Sequence, residues 1–188
     1  MGAAGSAVSQ GFDLEAVFRV TSEITLATAI GYNDAEFQET VLGGPVAAVP
    51  IISAGDSIPG SPRTFTANGQ YDFEAFNNPA YVRFDYEYRA KGPNDTAFLN
   101  TANIPPGTFI DPVVRVRSPE AQLLALRVGS KLGNLDVSIY VKNLLNEHPN
   151  LSIADEAFFP GPPFFDPHNY SGETLTPRTV DLTVTYRN

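Results

Sequence analysis

The sequence contains no cysteine, which removes structural disulfides, thiolate metal sites and thiol nucleophiles together and leaves the redox compartment open. Basic residues are scarce as well: 12 Lys and Arg stand against 21 Asp and Glu, for a net charge of −9. A phosphate-binding protein displays a basic face, so nucleic acid is set aside as a partner. No run approaches the roughly 18 unbroken apolar residues of a spanning helix. The stretch Met1-Gly2-Ala3-Ala4-Gly5-Ser6 has neither the basic start nor the apolar core of a signal peptide. Hydropathy therefore reads as that of a soluble protein. Strands of a membrane barrel, however, alternate between lipid and lumen, so their average hydropathy is also middling. Periodicity has to decide.

From Ala80 to Lys91, Val82, Phe84, Tyr86, Tyr88 and Ala90 alternate without a break against Arg83, Asp85, Glu87, Arg89 and Lys91. Period two over about ten residues predicts a strand long enough to cross a bilayer at a tilt, about twice the usual length in soluble proteins. The pattern recurs. Phe12, Leu14, Ala16, Phe18 and Val20 lead through a turn at Thr21-Ser22-Glu23 into Ile24, Leu26, Thr28, Ile30 and Tyr32. Phe65, Ala67, Gly69, Tyr71 and Phe73 precede a turn expected at Asn77-Asn78-Pro79. Leu124, Leu126, Val128 and Leu132 reverse at Gly133-Asn134 into Leu135, Val137, Ile139 and Val141, and Val180, Leu182, Val184 and Tyr186 form a last strand. The fold class expected is all-β, a transmembrane antiparallel meander of about seven long strands.

Short turns after Val20, Phe73 and Leu132 alternate with long segments around 34–62, 92–119 and 147–176. Membrane barrels have tight periplasmic turns and extended outer loops, whereas a compact soluble domain rarely carries three long loops without secondary structure. Aromatics fall toward both strand ends, with Phe18, Tyr71, Phe73 and Tyr186 near the short turns and Phe12, Tyr32, Phe65, Tyr86 and Tyr88 near the long loops. Two aromatic girdles are expected of a barrel in lipid.

Val141-Lys142-Asn143-Leu144-Leu145-Asn146-Glu147, then Pro177-Arg178-Thr179 and a terminal Val-x-Leu-x-Val-x-Tyr-Arg strand resemble the end of TonB-dependent outer-membrane receptors. Gly11-Phe12-Asp13-Leu14-Glu15, the exit Tyr32-Asn33-Asp34-Ala35-Glu36-Phe37 and Gly55-Asp56-Ser57-Ile58-Pro59-Gly60-Ser61-Pro62-Arg63 are similar to that family's barrel too. The resemblance spans nearly all of 1–188. It implies the C-terminal part of a larger β-barrel in the bacterial outer membrane. No plug domain and no TonB-contacting segment are recognised, so a fragment of a longer receptor is expected, in line with the odd strand count. The implied partners are outer-membrane lipid, the barrel assembly machinery, the rest of the receptor including its plug, TonB indirectly, and a small-molecule ligand. The ligand classes implied are a ferric siderophore, cobalamin or an oligosaccharide. No enzyme activity and no cofactor are expected.

Three groups are candidate functional residues. Phe158, Phe159, Phe164, Phe165, His168 and Tyr170 crowd a Pro-rich stretch of an outer loop, where apolar platforms suit capture of an amphipathic ligand; the alternative is a loop that packs on its neighbours. Arg83, Asp85, Glu87, Arg89 and Lys91 form a charged face turned from lipid, toward the plug or a hydrated lumen. Val180, Leu182, Val184 and Tyr186 resemble the family's C-terminal assembly signal, although the chain ends Tyr186-Arg187-Asn188 and not in an aromatic. Gly55-Asp56-Ser57 also resembles a serine-esterase block. His168 follows Asp166 at the wrong spacing for that family, and no helix pattern follows Ser57, so a loop is expected. His148 and His168, the two histidines, are read as loop residues, with no metal site. A passive porin-type channel and a soluble β-sandwich binding module are the alternatives to uptake.

Overall fold

The computed structural model describes residues 5–43, 49–107, 117–155 and 170–187. Their strands are β1 (Ala7–Arg19), β2 (Ile24–Phe37), β3 (Val41–Gly43), β4 (Val49–Ile52), β5 (Arg63–Ala75), β6 (Asn78–Arg89), β7 (Ala121–Leu132), β8 (Leu135–Lys142), β9 (Asn150–Asp155), β10 (Tyr170–Thr174) and β11 (Thr179–Tyr186). A 3-10 turn spans Thr101–Asn103. The fold is all-β. The seven long alternating segments form one sheet in the order β1-β2-β5-β6-β7-β8-β11, every neighbouring pair antiparallel. β1 and β11 lie at the two edges, so the sheet is not closed.

Residues directly opposite in an antiparallel ladder share a face. One row therefore crosses the whole sheet: Phe18, Leu26, Gly69, Phe84, Leu126, Val141 and Val180. Leu14, Ile30, Phe65 and Tyr88 make a parallel row, and Val128, Ile139 and Leu182 another. The opposite face pairs Gln70 with Arg83, Asn68 with Asp85, Thr66 with Glu87 and Arg127 with Tyr140. The binary pattern has thus become one apolar and one polar surface, and a slip of one residue would exchange them.

Nothing covers the apolar face among the described residues. The buried hydrophobic side chains among the described residues are three alanines, Ala80, Ala90 and Ala121, while Phe12, Leu14, Ile139, Val180 and Leu182 each keep more than half their surface exposed. The described sheet is a single layer without the facing second sheet of a sandwich. Two glycines let rings lie flat on it. The Phe84 ring and Leu26 Cδ2 occupy the space that a Cβ at Gly69 would need, and on the polar face a Cβ at Gly129 would meet Tyr81 at 2.6–2.8 Å. Glycine inside a strand here makes room for a cross-strand aromatic.

The strands run longer than the alternation alone suggests. β1 and β2 pair from Ala7–Phe37 down to Arg19–Thr25, and their upper pairs Val8–Glu36 and Gln10–Asp34 carry polar groups beyond the aromatic level. β5, β6 and β7 have 13, 12 and 12 residues, about 40 Å of strand and enough to cross about 30 Å of hydrocarbon at a tilt. β8 and β11 have only 8 each. Backbone bonds carry their ladders further, from Leu144 N–H to Leu124 and from Arg187 N–H to Asn134.

The turns follow local chemistry. At the first, Thr21 Oγ1 accepts from the N–H groups of Glu23 and Ile24 at 3.1 Å each. The second is one step earlier than expected: Ala75 pairs with Asn78, leaving Phe76 and Asn77 as a two-residue loop with φ of 52° and 59°. Positive φ at both positions matches the twist of a hairpin, and the Asn78 side chain donates to the Phe76 carbonyl at 2.8 Å. Pro79 then sits inside β6. Phe76 is 98% exposed, so the ring offsets none of its left-handed strain. Phe76→Gly is expected to raise stability by about 1 kcal/mol, read as the thermal midpoint; a lower midpoint would mean that the ring holds the turn in place.

The expectation of loops without secondary structure is corrected. β3 pairs with β4 and β9 with β10, each a two-stranded ribbon inside a long connection. These strands are 3 to 6 residues long, too short to show a period.

Candidate functional site

The polar face carries the charges singled out in the sequence, and they neutralise one another along a single strand. Arg83 Nη2 lies 2.6 Å from Asp85 Oδ1, with Nε 3.0 Å from both carboxylate oxygens. Arg89 reaches Glu87 Oε1 at 2.7 Å. Residues two apart on a strand share a face, so alternation brings these pairs together at no topological cost. Being solvent-exposed, each contributes at most about 1 kcal/mol. Lys91 stands apart from them, two residues beyond the end of β6 and exposed.

Arg127 was not singled out, and it differs from the others. Its guanidinium lies over Tyr140 with Cζ 4.7 Å from the ring centroid, Lys142 Nζ approaches the same ring at 5.5 Å, and the buried Arg127 Nε has no hydrogen-bond partner among the described residues. Across the ladder it faces Arg83, a like charge. The signal in the sequence was a lone Arg at a polar-face position of β7, with Tyr at the matching position of β8.

Beside this stack, toward the long-loop end, lies an open concavity of about 440 Å³ whose lining includes Asn68, Asp85, Glu87, Leu123, Tyr140 and Lys142. Amide, carboxylate, phenol and ammonium groups surround an apolar floor, which suits a small polar ligand held by a few directed bonds.

Two buried side chains hold the loops above the sheet. Asp56, 2% exposed, accepts from the Ser53 N–H, Asn100 Nδ2 and Asn103 Nδ2 at 2.5–2.6 Å. Burial alone would raise its pKa, but the three donors, Ser53 first, outweigh burial and hold the carboxyl below its ordinary value. A lowered pKa means that the stabilisation is present above the unfolded pKa, near 4, and is lost as pH falls through the lowered folded value. Acidifying below about pH 4 is therefore expected to loosen 49–62 and 94–107 together, seen as faster amide exchange there; Asp56→Asn should remove that pH dependence. Asn143, 4% exposed with φ 47°, donates to the carbonyls of Glu147 and Thr176, each at 2.9 Å, and accepts from the Glu147 N–H at 3.0 Å. Asn146 Oδ1 accepts from the Arg178 N–H at 3.2 Å. The Lys-Asn-Leu-Leu-Asn-Glu stretch thereby ties both ends of the last long loop to β8 and β11.

Ser57 lies between Glu36 and Thr96 in backbone bridges, and its hydroxyl donates to Asp95 at 2.7 Å. It serves as a seam between two loops, and the same geometry makes Asp56 a staple. Val180, Leu182, Val184 and Tyr186 all lie on the apolar face, opposite Val141, Ile139, Val137 and Leu135. Tyr170 opens β10, paired with Asp155. Phe158, Phe159, Phe164, Phe165 and His168 lie outside the described residues, and His148 is exposed. The aromatic levels take shape as ring pairs: Phe12–Tyr32 at 5.9 Å and Phe65–Tyr86 at 6.1 Å toward the long loops, Tyr71–Phe73 at 5.4 Å toward the short turns.

Comparison with models of known protein families returns no match, and neither does a search of curated proteins.

Proposed function

We propose that this chain forms part of the wall of an outer-membrane β-barrel of the TonB-dependent receptor type, taking up a scarce nutrient such as a ferric siderophore, cobalamin or an oligosaccharide. The observation that carries the reading is the single-layer sheet, whose apolar face is continuous over seven strands and uncovered among the described residues. In water such a face would be an aggregation liability; in a bilayer it is the surface required. The aromatic pairs at both ends of the strands and the loop asymmetry support the same placement. The open edges of β1 and β11 must be paired by further strands, because unpaired N–H and C=O groups are not tolerated in lipid. The polar face then lines the lumen, where the self-neutralised pairs and the 440 Å³ concavity meet a plug or a passing ligand.

The choice of an uptake receptor over a passive channel rests on the resemblance of the Val141–Glu147 and terminal-strand motifs. The test is partition and surface display. The protein should need detergent for solubility and fractionate with outer membranes, and an epitope inserted near Gly161 should bind antibody on intact cells. A soluble, monomeric, cooperatively unfolding preparation in plain buffer overturns the membrane reading; unimpaired ligand uptake after deletion of 147–176 overturns the role of that loop in capture.

A further inference from the structure

We propose that the long-loop end of the apolar face seats one phosphate-bearing lipid, its acyl chain against the aromatic cup of Phe12, Tyr32, Phe65 and Tyr88 and its phosphate on Arg63. The proposal rests on the membrane-wall reading above. Arg63 opens β5 opposite Tyr32 in the ladder, which places it in the apolar-face register, at the level where the aromatic girdle ends. Around it lies a shallow concavity of about 460 Å³, lined by Phe12, Ile30, Tyr32, Arg63, Phe65 and Tyr88. The cup is apolar apart from that one guanidinium. Phe12 and Tyr32 close one side with ring centroids 5.9 Å apart.

Among the described residues the Arg63 side chain makes neither a hydrogen bond nor an ion pair, while the hydroxyls of Tyr88, in the cup, and Tyr86, next to it along β6, are engaged. The Tyr88 hydroxyl donates to Glu120 Oε2 at 3.1 Å, and Tyr86 donates to Gln122 at the same distance. A cation without a counterion, on an apolar stem at the rim of a lipid-facing wall, lies at the depth of the headgroups. A guanidinium matches a phosphate with two parallel N–H···O bonds, and such bonds strengthen as water is excluded. A free anion has no use for the aromatic cup, and a neutral lipid has none for the arginine. Together they specify an anionic amphiphile.

The test titrates the detergent-solubilised protein with dioctanoyl phosphatidic acid, dioctanoylglycerol and inorganic phosphate, following bound lipid by native mass spectrometry. Phosphatidic acid should bind, and the other two should not. Arg63→Gln should weaken its binding about fivefold, Arg63→Lys should retain most of it, and Lys131→Gln, on the polar face at the short-turn end, should leave it unchanged. Equal affinity in Arg63→Gln, or binding of dioctanoylglycerol or inorganic phosphate as tight as that of the anionic lipid, overturns the proposal. A protein that needs detergent yet binds lipid independently of Arg63 sinks the lipid seat alone; a protein soluble without detergent sinks the wall reading with it.

Discussion

Phe84→Arg is expected to cost about 2–4 kcal/mol in a bilayer-embedded barrel, while Asp85→Asn, its neighbour on the other face, costs less than about 1 kcal/mol. Phe84 lies near the middle of β6 between Gly69 and Leu126 on the apolar face, its ring lying over Gly69. On the proposed membrane-wall reading, an arginine there would set a charge among lipid tails, and it would uncover the glycine. Asp85 meets water and Arg83, so a neutral amide loses only a screened ion pair. Both variants are compared by urea unfolding of protein inserted in vesicles. Equal costs would mean that the two faces do not differ in environment, and a larger cost at Asp85 would invert them.

Asn143→Ala should be comparably damaging, at about 3 kcal/mol or more, because it strands two carbonyls and one N–H that the side chain now satisfies and puts a Cβ-bearing residue without a local hydrogen bond at positive φ. Asn143→Gly keeps the backbone conformation and loses the three bonds, so the difference between the two variants isolates the strain. Asn143→Asp retains the acceptor for Glu147 but turns a carboxylate toward two carbonyl oxygens, and it should resemble the alanine. The local readout is proteolysis within 147–176, which should accelerate in all three while the β1–β2 hairpin stays protected. A protease pattern identical to wild type would show that the loop is held by other contacts.

The faces, the strand count of the main sheet and the three short turns were legible because alternation is a local property: each side chain's face follows from its parity along the strand. The four polar-face charges Arg83 to Arg89 were likewise legible as a group, since residues two apart necessarily meet. Register, by contrast, depends on which turn residues accept positive φ, and the shift from Asn77-Asn78 to Phe76-Asn77 was hidden by a phenylalanine at a position that usually takes asparagine or glycine.

The sequence by itself determined an all-β chain with one apolar and one polar face, because a period of two needs no partner to be read. Only the tertiary structure decided what lies across from what. Arg127 finds Tyr140, Asp56 gathers donors from residues more than forty positions away, and Asn143 ties together a loop whose ends are separated by its whole length. Those contacts depend on strand order and loop return, which no local pattern encodes. The same holds for Arg63: its place at the rim of an aromatic cup comes from the pairing of β5 with β2, not from the Pro62-Arg63-Thr64 stretch in which it stands.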